Sequence, residues 1–287
     1  MIHVLLATVA SLAVLLLAFA PLERAFPARA RQPFWRPGWR IDLTFFVGQY
    51  VVWSAAAVAL LGVVHAQVAM HVPHLGLPTW ARAVLAVVLG DLLVYGFHRA
   101  CHAVPWLWRF HAVHHSAEHL DWLAAHREHP VDGVLTQLCQ NLPAFCLGLS
   151  FESVAGLVAL RGLWAIFVHS NVRLPLGPLR VLLGAPDLHH WHHARVASTK
   201  HNFANLAPWI DVLFGTYHRP RGAEDWALGL VDPWPKGYLA QLLEPFRRSP
   251  GGASDTSSPR DDIPPARGPT ILEVDRIEEI PRGIKAG

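Results

Sequence analysis

The sequence predicts an all-α, polytopic membrane protein whose membrane helices carry a histidine-rich helical cap. Three observations predict it. Of the 287 residues, 52% are hydrophobic and 16% charged, and mean hydropathy is positive, a balance too apolar for an ordinary soluble domain. Apolar runs recur at lengths near that needed to cross a bilayer. The 19 histidines are not scattered: about half fall in short clusters at helical spacing.

The apolar runs come in order. The first, Val4–Ala20, lacks a basic start and is followed by a loop rather than a cleavage junction, so it reads as a retained helix. The second is Leu43–Val64 and the third Ala81–Phe97. Two shorter runs, Val134–Leu149 and Val154–Val168, flank a turn at Ser150–Ser153 and read as a helical hairpin. Each is close to the lower limit of about 17 residues for a crossing, so the expected total is four to five transmembrane helices. Segment 202–217 reads as amphipathic and interface-lying. From Ser249 to Gly287 Gly, Pro, Ser and mixed charge dominate, which predicts a disordered tail after a membrane-embedded domain of residues 1–248.

Charge orients the helices. The first loop holds Arg24, Arg29, Arg31, Arg36 and Arg40, whereas residues 65–80 hold no Lys or Arg. The positive-inside rule puts the arginine-rich loop in the cytoplasm. Counting crossings from there puts all the histidine clusters on the cytoplasmic face. The net charge of +3 forms no basic stripe, so nucleic-acid binding is not expected. Cys101, Cys139 and Cys146 form no CxxC pair and read as free thiols.

The clusters are His98 and His102; His111, His114 and His115; His169 alone; and His189, His192 and His193 with His190 between. Histidines at i, i+3 and i+4 share a helix face, and imidazole is a ligand for iron, copper and zinc. Eight or nine imidazoles exceed one structural zinc site and suffice for two metals with open positions. No cysteine accompanies them, which argues against thiolate and iron–sulfur sites. Spacing alone leaves iron and zinc both open. Lone His3, His65, His71, His74 and His218 read as structural or exposed. Asp91, on the helix leading to His98, has two readings: an acceptor that orients a ligand histidine, or a helix–helix hydrogen bond. Tyr95 reads as an interface anchor.

In combination, Asp91 through His102, Arg109-Phe-His111-Ala-Val-His114-His115, His126-Arg-Glu-His129-Pro130, His169-Ser-Asn171 and His189-His190-Trp191-His192-His193 resemble the fatty acid hydroxylase and sterol desaturase superfamily. The resemblance spans about residues 36–220. It implies a non-haem di-iron membrane enzyme that hydroxylates or desaturates a lipid, a sterol or fatty acyl chain, with O2. It places ligands at His98, His102, His111, His114, His115, His189, His192 and His193, with His169 as a further ligand. Some members carry one more histidine at the position of Ala165, so water or Asn171 completes the shell here. His126 and His129 are expected behind the ligands, and His190 outside them. Two iron ions are the implied cofactors, with zinc as a possible substitute. Electrons are expected from a separate ferredoxin- or cytochrome-type protein, since no fused donor pattern occurs. Two rivals of other classes stand beside this reading. A membrane zinc hydrolase needs a general base such as that of HExxH, which the sequence lacks. A metal carrier needs polar residues along its spans, and these have few.

Overall fold

The computed structural model describes residues 2–72, 76–195, 200–220 and 222–247; the expected tail from 249 onward lies outside them. Eleven α-helices order the described residues: α1 (Ile2–Ala25), α2 (Trp39–Gly48), α3 (Ser54–Ala69), α4 (Thr79–Ala103), α5 (Pro105–His115), α6 (Pro130–Cys146), α7 (Phe151–His169), α8 (Leu179–Leu183), α9 (Pro186–His192), α10 (Trp209–Leu213) and α11 (Tyr238–Leu243). A π-helical turn, Gln49–Trp53, joins α2 to α3. No β-strand occurs among the described residues, only isolated bridges such as Pro27 to Val172.

Among the described residues, four stretches are long and apolar enough to cross a bilayer: α1, the continuous α2–α3 rod Trp39–Ala69, α4 and α7. Their outer faces expose Leu6, Val9 and Leu17 on α1, Val58 and Val63 on α3, Val84 on α4, and Leu160 and Leu163 on α7. Lipid accepts such a surface. The chain is thus an integral membrane protein.

Helix α6 has 17 residues and does not meet the same length criterion, yet it runs the depth of the bundle. Its far end turns at 147–150, where Leu149 O meets His65 Nε2 on α3 at 3.2 Å and Gly148 O accepts from Arg82 on α4 at 2.8 Å. The hairpin therefore reaches the end of the bundle opposite the histidines. Close packing of α6 on α4 requires Gly90, because a Cβ there would lie 2.5 Å from Gln140 O. A core of Leu61, Ala86, Ala144, Phe145, Leu149 and Val154 ties α3, α4, α6 and α7 together. A second core joins Leu15 and Phe19 of α1 to Phe46, Trp122, Leu123 and Ile166.

Helix length and punctuation place the cap. The 25 residues of α4 span roughly 38 Å at 1.5 Å each. That exceeds the hydrocarbon thickness of about 30 Å, so one end of the helix projects beyond it. His98 and His102 lie on that projecting end. Pro105 then forces Val104 out of the helical region (φ −105°, ψ 113°). The resulting elbow turns α5 back so that its histidines face those of α4. His129 caps α6 by accepting from Val131 N–H at 3.1 Å, with Pro130 at the first helical position. Ser150 caps α7 likewise.

The arginine-rich loop lies at the histidine end. Asn171 Oδ1 accepts from Arg29 N–H at 2.8 Å, and Arg36 pairs with Asp121 and Asp42, each at 2.6 Å. Segment 202–217 is two-sided as expected. Phe203, Ala204, Ala207 and Ile210 are buried against Tyr95, while Val212, Leu213 and Phe214 are exposed. Tyr95 itself differs from the expected interface anchor. It is buried, stacks on Phe214 and bonds Thr216 Oγ1 at 2.9 Å, because segment 202–217 closes over that face of α4.

Candidate metal centre

The nine histidines meet and divide into two sets. His98, His102, His111, His115 and His192 form one, and His114, His169, His189 and His193 the other. Within each set the potential ligand nitrogens all lie within 4.8 Å of one another. The helix spacing explains the division. On α5, His111 and His115 are one turn apart and serve the first set, while His114 points to the second. On α9, His192 crosses to the first set, while His189 and His193 stay in the second. The sets adjoin: the rings of His115 and His193 stack with centroids 4.3 Å apart.

Hydrogen bonding fixes what these rings offer. His98 Nδ1 faces Phe203 O at 2.7 Å, His114 Nδ1 faces Arg127 O at 3.0 Å, and His169 Nδ1 faces Ala165 O at 2.6 Å. His192 Nδ1 faces His201 O at 2.8 Å, and His111 Nδ1 faces Asp132 Oδ2 at 2.8 Å. A carbonyl or carboxylate oxygen only accepts, so each of these Nδ1 atoms donates and each Nε2 keeps its lone pair. The Nε2 atoms point into the sets. His114 and His169 bring theirs to 3.0 Å, with no proton for either to share. His169 and His189 approach to 2.9 Å, His189 and His193 to 3.1 Å, and His111 and His115 to 3.2 Å.

The lone pairs of His114 and His169, fixed toward each other at that distance, repel unless a cation sits between them. Two nitrogens each about 2.1 Å from one ion and at right angles to each other lie about 3.0 Å apart, which matches the observed edges. The Nε2 atoms of His98, His102 and His192 are buried with no protein partner. The donor set therefore fits two metal ions, and the all-imidazole chemistry suits iron, copper or zinc.

Burial reinforces this. It pushes His114 down to about 4, with nearby His111 adding to the effect. It also holds His115, His189, His192 and His193 well below the usual imidazole range, helped by neighbouring histidines. These rings stay neutral at physiological pH, the state in which imidazole ligates.

His190 stands apart from both sets, with both ring nitrogens engaged. Nδ1 meets Glu224 Oε2 at 2.6 Å and Nε2 meets Ser170 O at 3.0 Å. Burial alone would lower its pKa, but the Glu224 carboxylate outweighs burial and raises it.

The four residues expected behind the ligands do not hydrogen-bond to any of the nine. Asp91 instead forms a buried ion pair with Arg161 of α7, so of its two readings the helix–helix one describes its contact. His126 bonds Gln49 Oε1 at 3.2 Å and packs edge-on to Phe46. His129 caps α6 and faces Leu242 O at 3.1 Å. Asn171 exchanges hydrogen bonds with the Arg29 backbone. The orienting groups are instead Asp132 and four backbone carbonyls. Burial alone would raise Asp132, but His111 outweighs it and holds the carboxyl below its usual value. Its signal in the sequence was an acid in the first turn of an apolar helix, which also has a bland reading as a helix-dipole partner.

Residues 83–216, which carry all nine histidines, match the family model described as fatty acid hydroxylase. The chain is 34% identical to ornithine lipid hydroxylase OlsE of Rhizobium tropici over 60% of its own length and 52% of that protein. It is 30% identical to alkylglycerol monooxygenase of Danio rerio over 48% of its own length and 30% of that protein. It is 26% identical to Delta(7)-sterol-C5(6)-desaturase of Nicotiana tabacum over 48% and 50%. The match thus spans about half the length of the hydroxylase and the desaturase, and less of the monooxygenase. No solved structure matches at a significant level.

Proposed function

We propose, from a histidine-bearing segment that matches the fatty acid hydroxylase family model, that this chain is a membrane-bound non-haem di-iron oxygenase of lipids. The observation that carries the reading is the division of nine inward-facing imidazoles into sets of five and four. His98, His102, His111, His115 and His192 would hold one iron, and His114, His169, His189 and His193 the other. Bound there, the iron pair supplies the activation of O2 that lets an unactivated C–H bond be oxidised.

The chain's own residues supply positioning. Asp132 and the carbonyls of Phe203, Arg127, Ala165 and His201 hold five rings with Nε2 inward. Phe203 and Trp108 pack against the rings of the first set and keep that side apolar. Burial of His169, His189 and His193 keeps water from most of the second set.

The substrate is a membrane lipid with a long apolar skeleton. The relatives' names specify an ornithine lipid, an alkylglycerol and a sterol, and that skeleton is what they share. The product is an alcohol or an alkene. Electrons arrive from a separate ferredoxin- or cytochrome-type protein, whose acidic surface suits the exposed arginines of the cap. By the positive-inside rule, the arginine-rich loop supports a cytoplasmic location for this end of the bundle. The zinc hydrolase and metal-carrier readings gain nothing from relatives that are lipid hydroxylases and desaturases.

The test is reconstitution of the full chain with ferrous iron, a reduced ferredoxin and O2 in vesicles of total membrane lipid, followed by lipid mass spectrometry. The expected result is a lipid that gains one oxygen or loses two hydrogens, with iron but not with zinc. Lipid hydrolysis that zinc supports would overturn the reading.

A further inference from the structure

A cavity of about 420 Å³ lies between α1, α2 and the arginine-rich loop. Most of its lining precedes the segment shared with the fatty acid hydroxylase family. None of its lining residues is a histidine. Its membrane side is apolar, with Leu12 and Leu16 of α1 and Leu43 of α2. Aromatic residues Phe34, Trp35 and Trp39 form the wall from the loop side, the belt composition of a bilayer interface. The polar end holds Glu23, Arg24 and Asp121.

Two charged side chains at that end, Glu23 and Arg24, stay outside its ion pairs. Arg36 pairs with Asp121 and Asp42, and Arg127 pairs with Asp42. Two guanidinium groups and two carboxylates make that network neutral. Arg29, also in the lining, sits 3.8 Å from Glu224. Glu23 is an additional carboxylate near Asp121, and it forms no ion pair among the described residues. One of its oxygens, Oε1, accepts from Trp122 N–H at 2.8 Å and Asn171 N–H at 2.9 Å. Those bonds fix the carboxylate at the cavity wall and leave Oε2 to the cavity. At the rim, the Arg24 guanidinium rests over the Phe34 ring at 5.0 Å and pairs with no acid among the described residues.

A fixed carboxylate inside, a free guanidinium at the rim and an apolar slot running along a membrane helix match one ligand chemistry. We propose that this cavity binds the headgroup and upper chains of a zwitterionic aminolipid, with its ammonium on Glu23 and its anionic group on Arg24. The volume suits a headgroup and the first carbons of its chains. The chains would continue along Leu16 and Leu12 into the bilayer, away from the nine histidines. The site is therefore separate from the metal centre and fastens α1 to the cap.

The experiment uses the full chain purified from vesicles of phosphatidylethanolamine and phosphatidylglycerol in equal amounts, with retained lipid measured by native mass spectrometry. Wild type should retain about one phosphatidylethanolamine per chain, enriched at least several-fold over phosphatidylglycerol. Glu23→Gln keeps an acceptor for both N–H groups but removes the charge, and it should abolish the enrichment. Leu16→Trp fills the slot and should remove the retained lipid altogether. Metal content should be unchanged in both variants, which separates this outcome from failure of the metal-site reading. Retention in the vesicle ratio by wild type, or unchanged enrichment in Glu23→Gln, would overturn the proposal. Should Glu23→Gln not fold, full lipid retention by Leu16→Trp would overturn it.

Discussion

An imidazole whose Nδ1 donates to a fixed oxygen has one lone pair left, and here five such rings aim it inward. This makes Asp132 a positioning residue of consequence. It is buried and holds His111 in the tautomer whose Nε2 faces the first set. Asp132→Ala should weaken metal binding at that set by about 10- to 100-fold, read by competition with a chelator of known affinity. Unchanged affinity would remove Asp132 from this role. The nine ring positions were legible because ligands must share a helix face, and spacing records that. Their supports were not. Four of the five are backbone carbonyls or partners brought from distant segments, such as Phe203 O for His98, and a carbonyl carries no residue signature. For the same reason nothing in the sequence announced the partners that Asp91, His126, His129 and Asn171 have here.

At the scale of elements, the five apolar runs became five helical stretches that cross or run alongside the bundle, with Pro130 and Ser150 marking the starts of α6 and α7. The π-helical turn Gln49–Trp53 was not legible, since it depends on packing around Tyr238 as well as local propensity. Arg161 of α7 is bonded to α4 through the Asp91 ion pair, buried at both side chains, and through Val87 O at 3.0 Å. Arg161→Met leaves Asp91 buried without its cation and should lower stability by about 3–5 kcal/mol. Adding Asp91→Asn removes the stranded charge and should restore much of that loss. Thermal unfolding in detergent checks both. A double variant no more stable than Arg161→Met alone would show that the pair's effect is not electrostatic. Gly90→Ala is a second test of element packing. Its Cβ would lie 2.5 Å from Gln140 O, and the forced shift of α6 should destabilise the bundle by about 1–3 kcal/mol in the same assay.

The whole molecule is a bundle with its histidines at one end, and Arg29 and Arg36 of the first loop share that end. The native thiol of Cys146 is exposed near the opposite end. Glu118, exposed on the cap side, makes a surface ion pair with Arg195 at 3.6 Å, a contact worth little to stability. With Cys146 retained, a membrane-impermeant maleimide should label it only from outside. Glu118→Cys in a Cys146→Ser background should be labelled only from the cytoplasm. Reversed sidedness in both would invert the topology and move the electron donor to the other compartment.

The central claim is that nine histidines form two distinct metal sites, and metal stoichiometry tests it most directly. The purified full chain loaded with ferrous iron should bind about two ions. His98→Ala removes a ligand from the set of five, and His169→Ala removes one from the set of four. Each variant should bind about one ion, and the Mössbauer signals they lose should differ. Wild-type protein that saturates at one ion, or two variants that lose the same signal, would contradict the account.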